Sequence, residues 1–159
     1  MMNIYQVLDD LKIKYTKYIH QPVYTIAEAE RYCSHIPGGK SKNLLLRNRK
    51  GNKHYLVVVR SDKKLDLEKL QDFLQESNLS FASEERLMKC LGLTPGSVSP
   101  FGLVNDLEKE VQVVIDSDLL GYDELQYHPN INTETLVLSV EDFKKFLAWT
   151  RNEIDFLEL

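Results

Sequence analysis

Three polar loops of this chain carry side chains that a hydrophobic core does not explain. The first, Gly38-Gly39-Lys40-Ser41-Lys42-Asn43, is a glycine-rich turn that delivers two lysines and an asparagine to the start of an apolar run. A lysine at the mouth of a strand can hold a phosphate or ribose oxygen. It is equally what an ordinary exposed strand start looks like. The turn lacks the GxxxxGKS or GxxxxGKT pattern, and an extended segment rather than a helix follows it, so a Walker-type nucleotide triphosphatase is excluded. The second loop, Gly96-Ser-Val-Ser-Pro-Phe-Gly102, is built of small residues that let main-chain amides approach a ligand closely. Consecutive N–H groups there can hold a carbonyl oxygen and the oxyanion it becomes. Ser97 and Ser99 invite the reading of a nucleophile, but no GxSxG elbow is present and no His or Asp stands at a telling spacing. The third, His128-Pro-Asn-Ile-Asn-Thr-Glu-Thr135, offers one histidine as a base, a donor or a turn residue. The four histidines, His20, His35, His54 and His128, show no metal-ligand spacing such as HExxH, and no glycosidase-like carboxylate pair stands out.

These loops need elements to position them. Ile4, Val7, Leu8 and Leu11 predict a helix over 3–12, and the alternation of 14–20 predicts a strand that Pro22 ends. Thr25-Ile-Ala-Glu28 is a capping-box pattern for a helix reaching Tyr32. Residues 43–47 and 53–60 read as a hairpin around Asn48-Arg-Lys-Gly51, with Tyr55-Leu-Val-Val-Val59 apolar on both faces and therefore central. A helix begins near Asp66, and another runs over 84–91 between the N-cap Ser83 and the stop Gly92. Residues 94–100 read as a loop, 111–115 as a buried strand, 119–125 as a short turn or helix and 133–138 as a strand. Ser139 caps a final helix through Phe143, Phe146 and Leu147 that extends toward Ile154. Without strict βαβ alternation, the pattern predicts an α+β fold: one domain over 1–159, a mixed β-sheet with flanking helices.

The chain has 159 residues, 43% hydrophobic and 28% charged, which suits one globular domain and excludes disordered, collagen-like and coiled-coil classes. Its apolar runs are far shorter than the roughly 20 residues of a membrane helix, and the first residues do not read as a signal peptide. Two cysteines, Cys33 and Cys90, give neither a disulfide framework nor a zinc motif, so a cytoplasmic protein with reduced thiols is expected. The net charge of −4 conceals an asymmetry. Residues 31–61 hold Arg31, Lys40, Lys42, Arg47, Arg49, Lys50, Lys53 and Arg60 and no acidic residue, while the remainder holds 12 basic and 24 acidic. An acidic body with one basic stretch fits local contact with a polyanion, not broad duplex binding; solvated loop charges are the other reading.

Four segments in order, His20-Gln-Pro-Val-Tyr-Thr25, Ile36-Pro-Gly-Gly-Lys-Ser-Lys-Asn-Leu-Leu-Leu-Arg47, Leu93 to Leu103 with Asn105-Asp106, and His128 to Thr135, resemble the YbaK and prolyl-tRNA-synthetase-associated editing family, most nearly its free-standing alanyl-tRNA(Pro) deacylases. Relatives often carry Phe where Leu44-Leu-Leu46 stands. The resemblance implies hydrolysis of the ester between a wrong amino acid and the 3′ end of tRNA(Pro), most often alanine, without a metal or cofactor. Removal of cysteine or another small residue, or a non-catalytic tRNA- or synthetase-binding module, are the alternatives. It implies Lys42, Asn43, Gly96, Ser97 and His128 as catalytic residues. Lys40, Ser99, Pro100, Phe101, Asn132 and Thr133 would bind substrate. The implied partners are the tRNA(Pro) acceptor end and prolyl-tRNA synthetase. On this expectation Lys42, Gly96 and His128 share one crevice.

Overall fold

The run 55–59, apolar on both faces, must be covered above and below, and it lies beside the buried run 111–115 at the middle of one sheet. A computed structural model describes residues 2–159, apart from the side chain of Ile26. The strands are β1 (Thr16–Ile19), β2 (Ser41–Arg47), β3 (His54–Arg60), β4 (Ser80–Phe81), β5 (Val111–Asp116), β6 (Glu124–Tyr127), β7 (Glu134–Ser139) and β8 (Ile154–Leu157). The helices are α1 (Ile4–Asp10), α2 (Ile26–Cys33), α3 (Leu67–Leu74), α4 (Glu84–Leu91) and α5 (Val140–Thr150). Five strands form a mixed sheet in the order β4-β2-β3-β5-β8, antiparallel from β4 to β3 and parallel from β3 to β8. Three form an antiparallel sheet in the order β1-β7-β6.

Side-chain alternation along β2 decides what each residue can touch. Leu45, with Leu56 and Val58 of β3, faces the larger core, which also takes in Phe101, Leu103, Leu125, Leu136, Phe143 and Phe146. Leu46, Tyr55 and Val57 face the smaller core under α3, with Leu70 and Leu79. Ser41 and Asn43 share the face of Leu45, whereas Lys42 shares the face of Leu44 and Leu46. Full burial of each such aliphatic side chain stabilises the fold by roughly 1.5–3 kcal/mol.

Besides packing through the larger core, the two sheets are linked by a main-chain bridge at Gly39. Gly39 donates its N–H to Glu124 C=O at 2.8 Å and accepts from Gln126 N–H at 3.1 Å, forming a parallel bridge with β6 just before the chain enters β2. Gly38 adopts φ +99°, a region that favours glycine. The Gln126 side-chain amide donates to the Pro37 carbonyl at 3.0 Å and lies by those of Ile36 and Gly38. The glycine pair is thus a joint between sheets rather than a phosphate cradle.

The capping residues read from sequence hold. Thr25 Oγ1 accepts from Glu28 N–H and donates to its carboxylate, and Asp66, Ser83 and Ser139 each accept from the third residue of their helix. Three segments differ from expectation. The 94–100 loop contains a 3₁₀ turn, Pro95–Ser97, and leads into a second, Pro100–Asn105. Residues 119–125 split into a 3₁₀ turn ending at Gly121 and the start of β6. Ile154 belongs to β8, because Arg151 leaves the helix at φ +62° and the chain then pairs with β5. Both β4 and β8 are short edge strands whose signal is too brief to stand out.

A Cβ added at Gly39 would lie 2.5–2.8 Å from the Tyr122 ring. Gly39→Ala is therefore expected to lower stability by about 1–3 kcal/mol. In urea denaturation this should appear as a reduced midpoint at unchanged m; an unaltered midpoint would contradict the joint.

Candidate active site

The joint sets the start of β2 against β6 and β7, and a cavity of about 180 Å³ opens between them. Lys40, Ser41 and Asn43 form one side, and Gln126, Tyr127, His128 and Thr135 form another. Val23 with Ala29 and Cys33, one turn apart on α2, supplies an apolar wall. Asn43 ties this cavity to the glycine loop: Ser41 Oγ donates to Asn43 Oδ1 at 2.7 Å, and Asn43 Nδ2 donates to Val98 C=O at 3.1 Å. Gly96 lies next to Tyr24 and Asn132, close enough that a Cβ would come within 3.2–3.3 Å of both side chains.

The hydrogen bonds fix the tautomers. A carbonyl only accepts, so His128 Nδ1 carries a proton for Glu134 C=O at 2.9 Å and leaves Nε2 as an acceptor. His20 likewise donates from Nδ1 to Gln21 C=O, and Thr135 Oγ1 donates to its Nε2 at 2.8 Å. The Thr135 oxygen then has lone pairs to offer. Burial pushes the His128 imidazolium pKa down from its ordinary value, against the Glu134 hydrogen bond that favours charge, and nearby His20 pushes it further down. The Tyr127 hydroxyl is buried, with the Ser41 side chain as its polar neighbour and no hydrogen bond of normal geometry among the described residues. Burial raises its pKa, so it stays protonated. No Asp or Glu lines the cavity. It combines neutral polar side chains, one lysine and an apolar wall.

Several expected residues do not converge there. Lys42 points to the opposite face of the sheet, where its ammonium donates to Lys63 C=O at 2.6 Å; Lys40 lines the cavity in its place. The alternation of β2, which puts Ser41 and Asn43 inward, requires this. Ser99 and Phe101 are fully buried: Ser99 Oγ caps the second 3₁₀ turn by accepting from Phe101 N–H, and Phe101 packs edge-on against Tyr127 and Phe146. Pro100 is buried beside them, so these three support the floor rather than touch a ligand. Ser97 is buried and its N–H is spent on Thr94 C=O, whereas the Gly96 N–H, in the first turn of its short helix, has no intrahelical acceptor. Thr133 uses its carbonyl on His20 N–H. Sequence reading missed Ser41, Tyr127, Thr135, His20 and the α2 wall. Ser41 was legible as the i−2 neighbour of Asn43 on one strand face.

The basic stretch is also divided. Arg47, Arg49, Lys50 and Lys53 lie at the hairpin end, about 20 Å of strand away from Lys40 and Lys42. Arg60 is paired with Asp62 and Asp118. A larger cavity of about 880 Å³ sits at the hairpin end among His54, Arg86, Lys89, Cys90, Glu108 and Glu110, where charges of both signs mix. None of the expected site residues lines it. No group of three or more metal-ligating side chains occurs among the described residues, and no helix among them is long and apolar enough to cross a membrane.

Residues 20–146 match the aminoacyl-tRNA editing domain. The chain is 49% identical over 152 residues to the prolyl-tRNA editing protein ProX of Acetoanaerobium sticklandii, covering 96% of this chain and 93% of that one. It is 34% identical over 149 residues to the prolyl-tRNA synthetase associated domain-containing protein 1 of Danio rerio, covering 92% and 80%. Its fold matches the crystal structure of a candidate trans-editing enzyme for prolyl tRNA synthetase with a TM-score of 0.68 and 23% identity, over 100% and 98% of the two chains.

The lowered His128 pKa fixes the sign of a pH effect. The unfolded chain takes up the proton first as pH falls below about 6.5, so stability should decline from there until the lower folded pKa is passed. Imidazole NMR titration should place the His128 midpoint below 6.5; a midpoint above it would contradict the buried neutral ring.

Proposed function

We propose a function from the premise that the chain belongs to the aminoacyl-tRNA editing domain family, an enzyme family of deacylases. The protein hydrolyses mischarged tRNA(Pro) in trans, and its preferred substrate is Ala-tRNA(Pro). The observation that carries this reading is the small cavity, about 180 Å³, faced by neutral acceptors and a lysine. A synthetase pocket built for proline cannot strongly reject a smaller residue, because one missing methylene is worth only about 1–3 kcal/mol. A second, smaller site that admits alanine and excludes the proline ring supplies the missing fidelity.

In the proposed mechanism the alanyl methyl rests against Val23, Ala29 and Cys33. The α-ammonium donates to Thr135 Oγ1. The Gly96 N–H polarises the ester carbonyl and holds the oxyanion that develops. Water, oriented by His128 Nε2 and assisted by the vicinal ribose hydroxyl, adds to the carbonyl carbon. The tetrahedral intermediate then expels the ribose oxygen, which takes up a proton, leaving alanine and uncharged tRNA. Asn43 works by holding the glycine loop to β2. Lys40 contacts the phosphate or ribose at the cavity mouth.

Lys42 has a separate part in this reading. Lys40 C=O accepts from Ser61 N–H, which places Lys42 in a hydrogen-bonded pair with Val59 and directs the main-chain groups of Ser41 and Asn43 away from β3. β4 and Ala82 cover that edge at Leu45, Leu46 and Arg47. In this reading the long Lys42 side chain leaves Lys63 C=O and swings round the strand end to the acceptor-strand phosphates that leave the cavity.

Deacylation of tRNA(Pro) charged with alanine, cysteine, serine or proline is the test. Alanine should be released fastest and proline spared, with rates unchanged after exhaustive chelation. Lys40→Ala and Lys42→Ala should each lower kcat/KM at least about tenfold, with a weaker dependence on salt than the parent. Turnover of prolyl-tRNA at the alanyl rate would overturn the size-selection reading, and a wild-type rate for Lys42→Ala would remove that residue from the scheme.

A further inference from the structure

An aminoacyl ester seated in the cavity has its terminal base only one ribose away, so that base must lie at the mouth. Tyr24 follows the cavity-lining Val23 in sequence and lies against Gly96, in the loop that Asn43, another lining residue, holds through Val98 C=O. Tyr24 is 72% exposed. Its ring edge, Cδ1 and Cε1, lies 3.3 Å from the position a Gly96 Cβ would take, so the ring lies close against the loop. The capping box of α2 fixes the residue: Tyr24 N–H donates to Glu28 Oε1 at 3.3 Å, and the same carboxylate is held by Thr25 Oγ1 at 3.1 Å. A large aromatic ring is thus backed by main chain, anchored at a helix start and left open to solvent beside the group that polarises the ester.

We propose that Tyr24 is the stacking platform for the 3′-terminal nucleobase of the tRNA substrate. Unpaired RNA ends are read in this way, by bases stacked on aromatic side chains. The proposal rests on the reading that the cavity takes the aminoacyl ester, and it adds a residue that acts on affinity rather than on chemistry. The other exposed rings are placed less well. Tyr122 packs over Gly39 at the joint, and Phe81 borders a separate cleft with Leu45, Leu87 and Pro95 beyond the Asn43–Val98 link.

Loss of one base–aromatic stack corresponds to roughly 5- to 150-fold in affinity. Tyr24→Ala should therefore raise KM for Ala-tRNA(Pro) by a factor in that range with kcat little changed, and Tyr24→Phe should restore the parent KM. An acceptor-stem minihelix carrying 2-aminopurine at its terminal position should lose fluorescence on binding the parent protein and Tyr24→Phe, but not Tyr24→Ala. Circular dichroism melting should be the same for all three, as expected for an exposed ring. Parent-level KM together with parent-level quenching in Tyr24→Ala would overturn the platform. If the parent protein fails to deacylate any tRNA yet quenches the probe through Tyr24, the platform stands and the reading of function falls.

Discussion

Two main-chain hydrogen bonds at Gly39 hold the candidate site together. Ser41, Asn43 and Lys40 reach the cavity from the five-stranded sheet, and Tyr127, His128 and Thr135 reach it from the three-stranded sheet. Neither set encloses a ligand alone. Gly39 pairs with β6 and is continuous with β2, so it fixes the distance between the two sets. The conformation of Gly38, the packing of Tyr122 over Gly39 and the Gln126 amide all reinforce that one contact. A glycine pair that resembles a phosphate loop in sequence is thereby accounted for by geometry.

Polar satisfaction explains the character of the site. Most polar groups around the cavity are already committed: Ser41 to Asn43, Asn43 to Val98, His20 to Thr135, His128 Nδ1 to Glu134. These commitments lock side chains in place and set which atoms are left over. What remains toward the cavity is acceptor: His128 Nε2 and the Thr135 oxygen. The uncommitted donors are the Lys40 ammonium, which lines the cavity, and the Gly96 N–H in the loop joined to it through Asn43. Such acceptors and donors match an ammonium-bearing acyl group with its ester and phosphate.

Much of this was legible in the sequence, and the remainder was not for definable reasons. Capping residues act locally, so Thr25, Asp66, Ser83 and Ser139 mark helix starts without tertiary help. The centrality of β3 followed from an apolar run on both faces. Ser99 and Phe101 misled because a polar or aromatic residue in a glycine-rich loop looks available until packing closes over it. The placement of Lys42 against Lys40 turned on strand phase, and phase is set by where Gly39 stops pairing with β6 and β2 begins to pair with β3, a contact between residues over 80 positions apart in sequence. His20 and Thr135 become partners only when β1 pairs with β7. The fold determines which side chains in the three loops face one another.

The central claim is that ligand binds between the two sheets and not at the larger hairpin-end cavity. Titration of the ¹⁵N-labelled protein with a non-hydrolysable 3′-alanylamino analogue of adenosine addresses it directly. Amide shifts should concentrate at Lys40, Ser41, Asn43, Gly96, His128 and Thr135. Shifts clustered instead at Gly51, His54, Arg86 and Cys90, with those residues silent, would contradict it.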